Sequence, residues 1–370
     1  MFLFFVGILS VVFVLMEGII FILMFRKILF PLIFLSSVNY LFGQDLSALA
    51  DSVKSGFRGL SVVNENVLWM SGQKGLVGNS YDGGEKWKWH RIKGFEHSDF
   101  RSIYAFDKKN AVVANAGFSA SILFTTDAGK TWTISYSSKD SAMFFDGIDF
   151  WDKQHGMIFG DPVNGRMYLS ETFNGGKTWK EIPFADRPQL EKGEASFAAS
   201  GTTIRTLPNG QIFIATGGIV SRLWHSRDYG HHWEVFNTPI LQGKPSQGIF
   251  SIAFYDTLHG TIVGGDYLND SITGNNIFMT SDGGKDWAQP DIEMQGYFSC
   301  VEYLNEKYLV ACGTSNNILS GNDGKKWNLN NGLEKGANTV RSVKTKSGAR
   351  YFFCGGKSGI DFYTYKFTQL

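Results

Sequence analysis

With three cysteines in 370 residues, at 300, 312 and 354, the chain has too few for a disulfide framework, and their spacing matches no metal-ligand pattern. Neither a metal nor a cofactor is expected. Proline is scarce too, 8 residues against 43 glycines, which argues against proline-rich linkers and for many tight turns in one compact unit. No stretch from Phe57 to Leu370 carries the helical period over a useful length. Net charge is +1, from 35 basic and 34 acidic residues, so the footprint of a nucleic-acid partner is missing. A nucleophile elbow, a phosphate loop and a dinucleotide fingerprint are also lacking. The adjacent His231 and His232 lie in a turn and read as surface residues.

Long apolar runs occur only at the amino end. Phe2 to Leu23 is nearly all apolar and long enough to span a bilayer. A second pattern then opens at Met24: basic Arg26 and Lys27, apolar Ile28 to Leu35, and a stretch ending at small Gly43. That is the layout of a secretory signal peptide. The expected division is therefore 1–23 as an upstream extension or signal anchor, 24–43 as signal peptide, and 44–370 as a single domain. Either start, Met1 or Met24, places that domain outside the cytoplasm, tied to a membrane only if 1–42 is retained.

What the chain has in abundance is one eight-residue plan, clearest from Thr280 to Trp287: a hydroxyl residue, Asp two positions on, Gly two further, then Trp after three more. It recurs with Asp82 and Trp87, Asp127 and Trp132, Asn174 and Trp179, Asp228 and Trp233, and Asn322 and Trp327. The Asp or Asn side chain accepts backbone N–H bonds, Gly takes a positive φ, and Trp anchors the following strand. This is the Asp box, or BNR repeat. It marks fold rather than chemistry.

The boxes sit in seven longer units, about 42 to 57 residues apart, each reading strand, turn, strand, loop, strand, box, strand; the opening run of the fourth is Phe197 to Leu207, and the seventh has no box. Such units cannot bury their faces alone, so an all-β, seven-bladed β-propeller of four-stranded antiparallel blades is expected. The carboxyl end supplies a third strand for the last blade, about Ile360 to Lys366. A fourth is expected from Gln44 to Lys54, closing the ring. Cys312 and Cys354 hold one slot in neighbouring units and read as small packed residues, while Cys300 faces Cys312 if the hairpin turns at Asn305 to Lys307.

Seven such units with Asp boxes resemble the photosystem II stability/assembly factor family and, more loosely, sialidase-like and xyloglucanase propellers. The likeness covers about Phe57 to Leu370, with further matching segments at Gly193 to Thr202, Gly248 to Phe254 and Val263 to Tyr267. It implies a secreted or periplasmic propeller that binds proteins, noncatalytically, during complex assembly. The expected partner is an envelope or extracellular protein, or an anionic glycan.

Alternation of turns sorts the polar residues between two faces. Opposite the boxes fall Asp161, Glu191, Glu194, Asp266 and Tyr267, on loops where binding groups concentrate. Arg58, Arg101 and Arg341 begin the innermost runs of units one, two and seven, and Arg222 follows a loop on the same face. Such a cluster suits a carboxylate or phosphate; alternatively the arginines tie blades together through Asp146 or Asp161. The resemblance to sialidases carries a rival, a glycoside hydrolase with Tyr267 as nucleophile, Glu194 as its base and Asp161 as acid. Against it, the Arg-Ile-Pro motif of sialidases is missing and the units number seven rather than six.

Overall fold

Each repeat folds as the antiparallel meander that its alternating pattern calls for. The computed structural model describes residues 40–45, 56–117, 120–140, 142–292, 296–314, 317–329, 336–345, 348–355 and 362–367. The first blade runs Gly59–Val62, Leu68–Ser71, Leu76–Ser80 and Lys88–Ile92, each strand paired with the next. The first strands of the following sheets are Asp99–Ala105, Phe145–Phe150, Ile204–Leu207, Gln247–Phe254, Cys300–Tyr303 and Thr339–Thr345. These inner strands neighbour one another in sequence, and the last returns to the first, closing a ring. Among the described residues the only helical element is a single 3-10 turn, Phe184–Asp186.

One apolar seam fills the gap between each pair of neighbouring sheets. Trp69, Phe100, Val113 and Trp132 join the first two, and Phe213, Ile249, Phe254 and Phe278 the fourth and fifth. Closure uses the same device: Phe57, Leu60, Met70 and Trp89 pack on Phe352 and Cys354. Asn338 Nδ2 adds a hydrogen bond to the Phe57 carbonyl at 3.0 Å, and Thr339 donates to the carbonyl of Arg58.

All six boxes fold alike, at the turn joining third and fourth strands. The hydroxyl of Ser80, Thr125, Thr172, Ser226, Thr280 or Ser320 donates to the Asp or Asn Oδ1 at 2.8 to 3.1 Å. That same Oδ1 accepts a backbone N–H from four residues on, Lys86 in the first box and Lys326 in the last. The fifth box position turns at φ between 75° and 97°, as in Gly129 and Gly284, which only Gly adopts without strain. In the first four boxes the indole N–H donates to that Gly carbonyl. In the last two, Trp287 and Trp327, it has no partner among the described residues.

Three expectations are corrected. Gln44 and Asp45 do not join the last blade: Tyr40–Asp45 runs between the outer strands of the first two, Gln44 opposite Arg91 and Tyr40 opposite Thr133. The rest of that segment, 46–54, and the upstream 1–39 lie outside the described residues, so the last sheet has three described strands, ending with Phe362–Phe367. The fourth inner strand starts at Ile204 rather than Phe197, because the residues before it leave the sheet. The fifth sheet keeps only one bridge for its fourth strand, Met279 with Ala288, after which Asp291–Ile292 runs parallel to Lys326–Leu329 of the sixth.

Box tryptophans differ in burial: Trp132 and Trp327 are fully buried, Trp287 only partly. Trp132→Ala should therefore lower stability by about 3 to 5 kcal/mol in urea unfolding and Trp287→Ala by clearly less. Equal losses would mean that the box turn, not the seam, carries the contribution.

Candidate functional site

The ladder between the first two strands slips by one residue in three sheets, between Phe100 and Ser102, Phe145 and Gly147, and Ile249 and Ser251. A bulge frees one residue from the pleat and re-aims it. The residues freed are Arg101, Asp146 and Phe250. Arg101 and Phe250, together with Arg58, Phe144, Asp161, Phe197, Tyr267 and Tyr297, line a cavity of about 400 Å³ on the face opposite the boxes. That is the size of an ordinary ligand pocket.

Its floor is the stretch that fails to join the fourth sheet, Ser196 to Thr203, which crosses the channel. Small side chains let it touch nearly every blade. Ser196 N donates to Asp161 Oδ1 at 3.0 Å, Arg58 Nη1 to the Ala199 carbonyl at 3.1 Å, and Ser200 Oγ to the Ser299 carbonyl at 2.8 Å. Thr202 Oγ1 donates to Ser251 Oγ at 2.6 Å. At Gly201, φ is +67° and a Cβ would lie 3.2 Å from the Arg101 carbonyl oxygen, so the crossing requires Gly there.

The cavity wall is half aromatic and half charged. Phe197 stacks on Phe250 at 4.0 Å, Tyr297 meets Phe250 edge-on at 4.8 Å, and Tyr267, 52% exposed, leans its edge on both phenylalanines. Arg101 Nε holds its neighbour Asp99 at 2.8 Å and lies 6.0 Å from the Phe144 ring. Burial, and then the charge of Arg101, lower the pKa of Arg58. Burial raises that of Asp161, against the hydrogen bond from Ser196. With Asp99 set against Arg101 and the acidity of Asp161 weakened, the charge of Arg58 leaves the mouth with a preference for anions.

Not every expected residue arrives there. Arg341 lies two residues beyond Thr339, which pairs with Cys354 as Gly59 pairs with Ser71. The place of Arg58 is therefore taken by Asn338, and Arg341 sits three residues, about 10 Å, further along its strand, without the bulge that re-aims Arg101. It lines a second cavity of about 190 Å³ below the crossing segment, with Asp149, Arg205 and Glu302. Its Nη2 donates to the Ser200 carbonyl at 3.4 Å. Arg222 and Glu194 occupy each other: two hydrogen bonds of 3.1 and 2.5 Å, with the Glu194 side chain 0% exposed and also accepting from Thr216. Asp266 accepts from Gln247 and from the backbone of Leu268. The trio Tyr267, Glu194 and Asp161 is thus not assembled, since Glu194 faces Arg222 and is not on the cavity wall.

Sequence reasoning treated Asp146 only as a partner for arginine, and the structure gives neither of its carboxyl oxygens a hydrogen bond among the described residues. Burial and then the charge of Asp161 push its pKa well up, against Arg101. Its place in the repeat, where the first two units carry arginine, was the available signal. Because the folded pKa is raised, the native state binds more protons than the unfolded chain between the two pKa values, so the cost of this carboxyl is absent below about pH 4 and is complete above the folded pKa. Asp146→Asn should accordingly raise the denaturation midpoint at pH 7 and leave it unchanged near pH 3; a midpoint that drops at pH 7 would show a missing partner.

No family model and no curated protein matches the chain. Solved structures do. YCF48 bound to D1 peptide is 14% identical with a TM-score of 0.59, covering 88% of this chain and 97% of that one. YCF48 from Cyanidioschyzon merolae is 18% identical with a TM-score of 0.57, covering 84% and 95%. The WD40 β-propeller domain of Doa1 is 12% identical with a TM-score of 0.57, covering 89% and 98%. The chain is therefore a β-propeller, similar in fold both to YCF48, a photosystem II assembly factor, and to WD40 propellers.

Proposed function

We propose that this protein is a noncatalytic binding module of the assembly-factor kind, working outside the cytoplasm and holding an acidic segment of a partner protein at the mouth opposite the boxes. The observation that carries this reading is the convergence of Arg58, Arg101 and Asp161 with five aromatic rings in one cavity of about 400 Å³. Arginine and aromatic side chains are the anchors that protein recognition favours. The volume admits one or two side chains, and the aromatic wall gives apolar contact beside the charge. A propeller of the same fold has been solved with a peptide bound, YCF48 with D1 peptide, which supports a peptide as ligand here. The extracytoplasmic location rests on the apolar and basic pattern of the amino end.

Arg101 tests the reading because, among the described residues, its only carboxylate ion-pair partner is the nearby Asp99 and its side chain is 31% exposed. Such a pair contributes little to stability, about 0 to 1 kcal/mol. Arg101→Ala in the full-length chain should therefore leave the melting temperature near that of the wild type. In capture from the native envelope, the partner held by the wild type should be released at lower salt or not held at all. Undiminished capture together with a clear fall in melting temperature would make Arg101 a tie between blades and remove the binding role.

A further inference from the structure

Cys300 and Cys312 are direct partners across the first two strands of the sixth sheet, and both are 0% exposed. Direct partners share a face with Cα atoms about 4.5 to 5.5 Å apart, inside the range of about 4.4 to 6.8 Å that a disulfide spans. The Cys300 thiol donates to the Val340 carbonyl at 3.4 Å. Arg341 Nη1 donates to Cys300 Sγ at 3.5 Å, and the Thr202 hydroxyl of the crossing segment lies 3.7 Å from it. Arg205 and Glu302 are the other charged neighbours, and Cys354 stands beyond Cys312.

These contacts divide the two sulfurs. Burial raises the Cys300 thiol, but the neighbouring Cys312 and the charge of Arg341 outweigh it and hold it well below the ordinary thiol range. Burial and Cys300 push Cys312 well up. One sulfur is set up to attack and its neighbour to resolve. Cys300 lies behind the wall of the lower cavity of about 190 Å³, whose lining residue Arg341 touches its sulfur, so an oxidant has to pass that side chain; the cavity has room for a few waters but not for a bulky disulfide such as oxidised glutathione.

We propose that Cys300 and Cys312 form a redox-active pair that a small hydroperoxide, entering the lower cavity, converts to a disulfide. Cys300 Sγ attacks the terminal peroxide oxygen and the O–O bond breaks. The sulfur becomes a sulfenic acid, and the remaining oxygen leaves with the thiol's proton as water or an alcohol. Cys312 Sγ then attacks Cys300 Sγ, and the sulfenic oxygen departs as water with the Cys312 proton. Two thiols and one hydroperoxide give one disulfide, one water and one alcohol or second water. The product deprives Arg341 and Thr202 of the thiolate they face, so oxidation loosens the tie between the crossing segment and the sixth sheet.

The test uses the reduced full-length protein, treated with hydrogen peroxide and then denatured, alkylated and mapped by mass spectrometry. Of the three thiols one should remain, with a Cys300–Cys312 link that dithiothreitol reverses, whereas oxidised glutathione should leave all three. Three thiols surviving peroxide, a link that includes Cys354, or equally fast oxidation by glutathione would overturn the proposal. Arg341→Met should move the pH dependence of the reaction upward, as loss of thiol acidification requires, and an unmoved pH profile would contradict the role given to Arg341. Should that variant fail to fold, Cys312→Ser provides a second reading: peroxide should then leave a sulfenic acid at Cys300 that dimedone labels, and an unlabelled Cys300 contradicts its role as the attacking thiol.

Discussion

Every sheet in this protein has a face that it cannot bury by itself, and the ring exists because the next sheet buries it. The seams show how evenly that requirement is met. Trp69 and Trp132, Tyr168 with Phe145, Phe213 with Phe254, and Trp89 with Phe57 each fill one gap with large apolar side chains. Among the described residues, closure is a seam like the others rather than a strand borrowed from the amino end, with Asn338 and Thr339 reaching Phe57 and Arg58 across it. The boxes hold the outer turns but do not carry the same load, since Trp287 is only partly buried while its turn is as well formed as any.

Among the described residues seven inner strands contact one another in a ring, which leaves a channel, and the channel is what makes a site. Ser196 to Thr203 crosses it and divides it into an upper cavity of about 400 Å³ and a lower one of about 190 Å³. The same segment supplies carbonyl acceptors to Arg58 above and Arg341 below. Two arginines that look interchangeable in sequence therefore face different spaces. The upper space opens to solvent, and the lower one is lined by Asp149, Arg205, Glu302 and Arg341, the last of which touches a buried thiol.

Much of this was legible in the chain. Asp boxes are local: eight residues determine the turn, so Asp82 and Asp282 behave as their spacing says. Sorting of faces followed from strand alternation and placed Arg58, Arg101, Asp161 and Tyr267 on one side, where they share a cavity. Bulges were not legible, because the slip at Arg101 or Asp146 is settled by pairing with a distant strand, and that is why Arg341 was set level with Arg101. The crossing segment was hidden for a related reason. Phe197 followed by small residues reads as the start of a strand until the neighbours it would pair with are known. Glu194 and Arg222 are 28 positions apart, and only the fold shows that they satisfy each other.

The central claim is that the mouth above the crossing segment, and not the box face, meets the partner. Hydrogen–deuterium exchange on the full-length protein with and without the captured partner tests this most directly. The account predicts slowed exchange in 196–200, 264–268 and 296–299, whose backbones frame the mouth, with the box turns at 81–86, 126–131 and 281–286 unchanged. Slowed exchange confined to the box turns, with the segment at 196–200 unaffected, would contradict it.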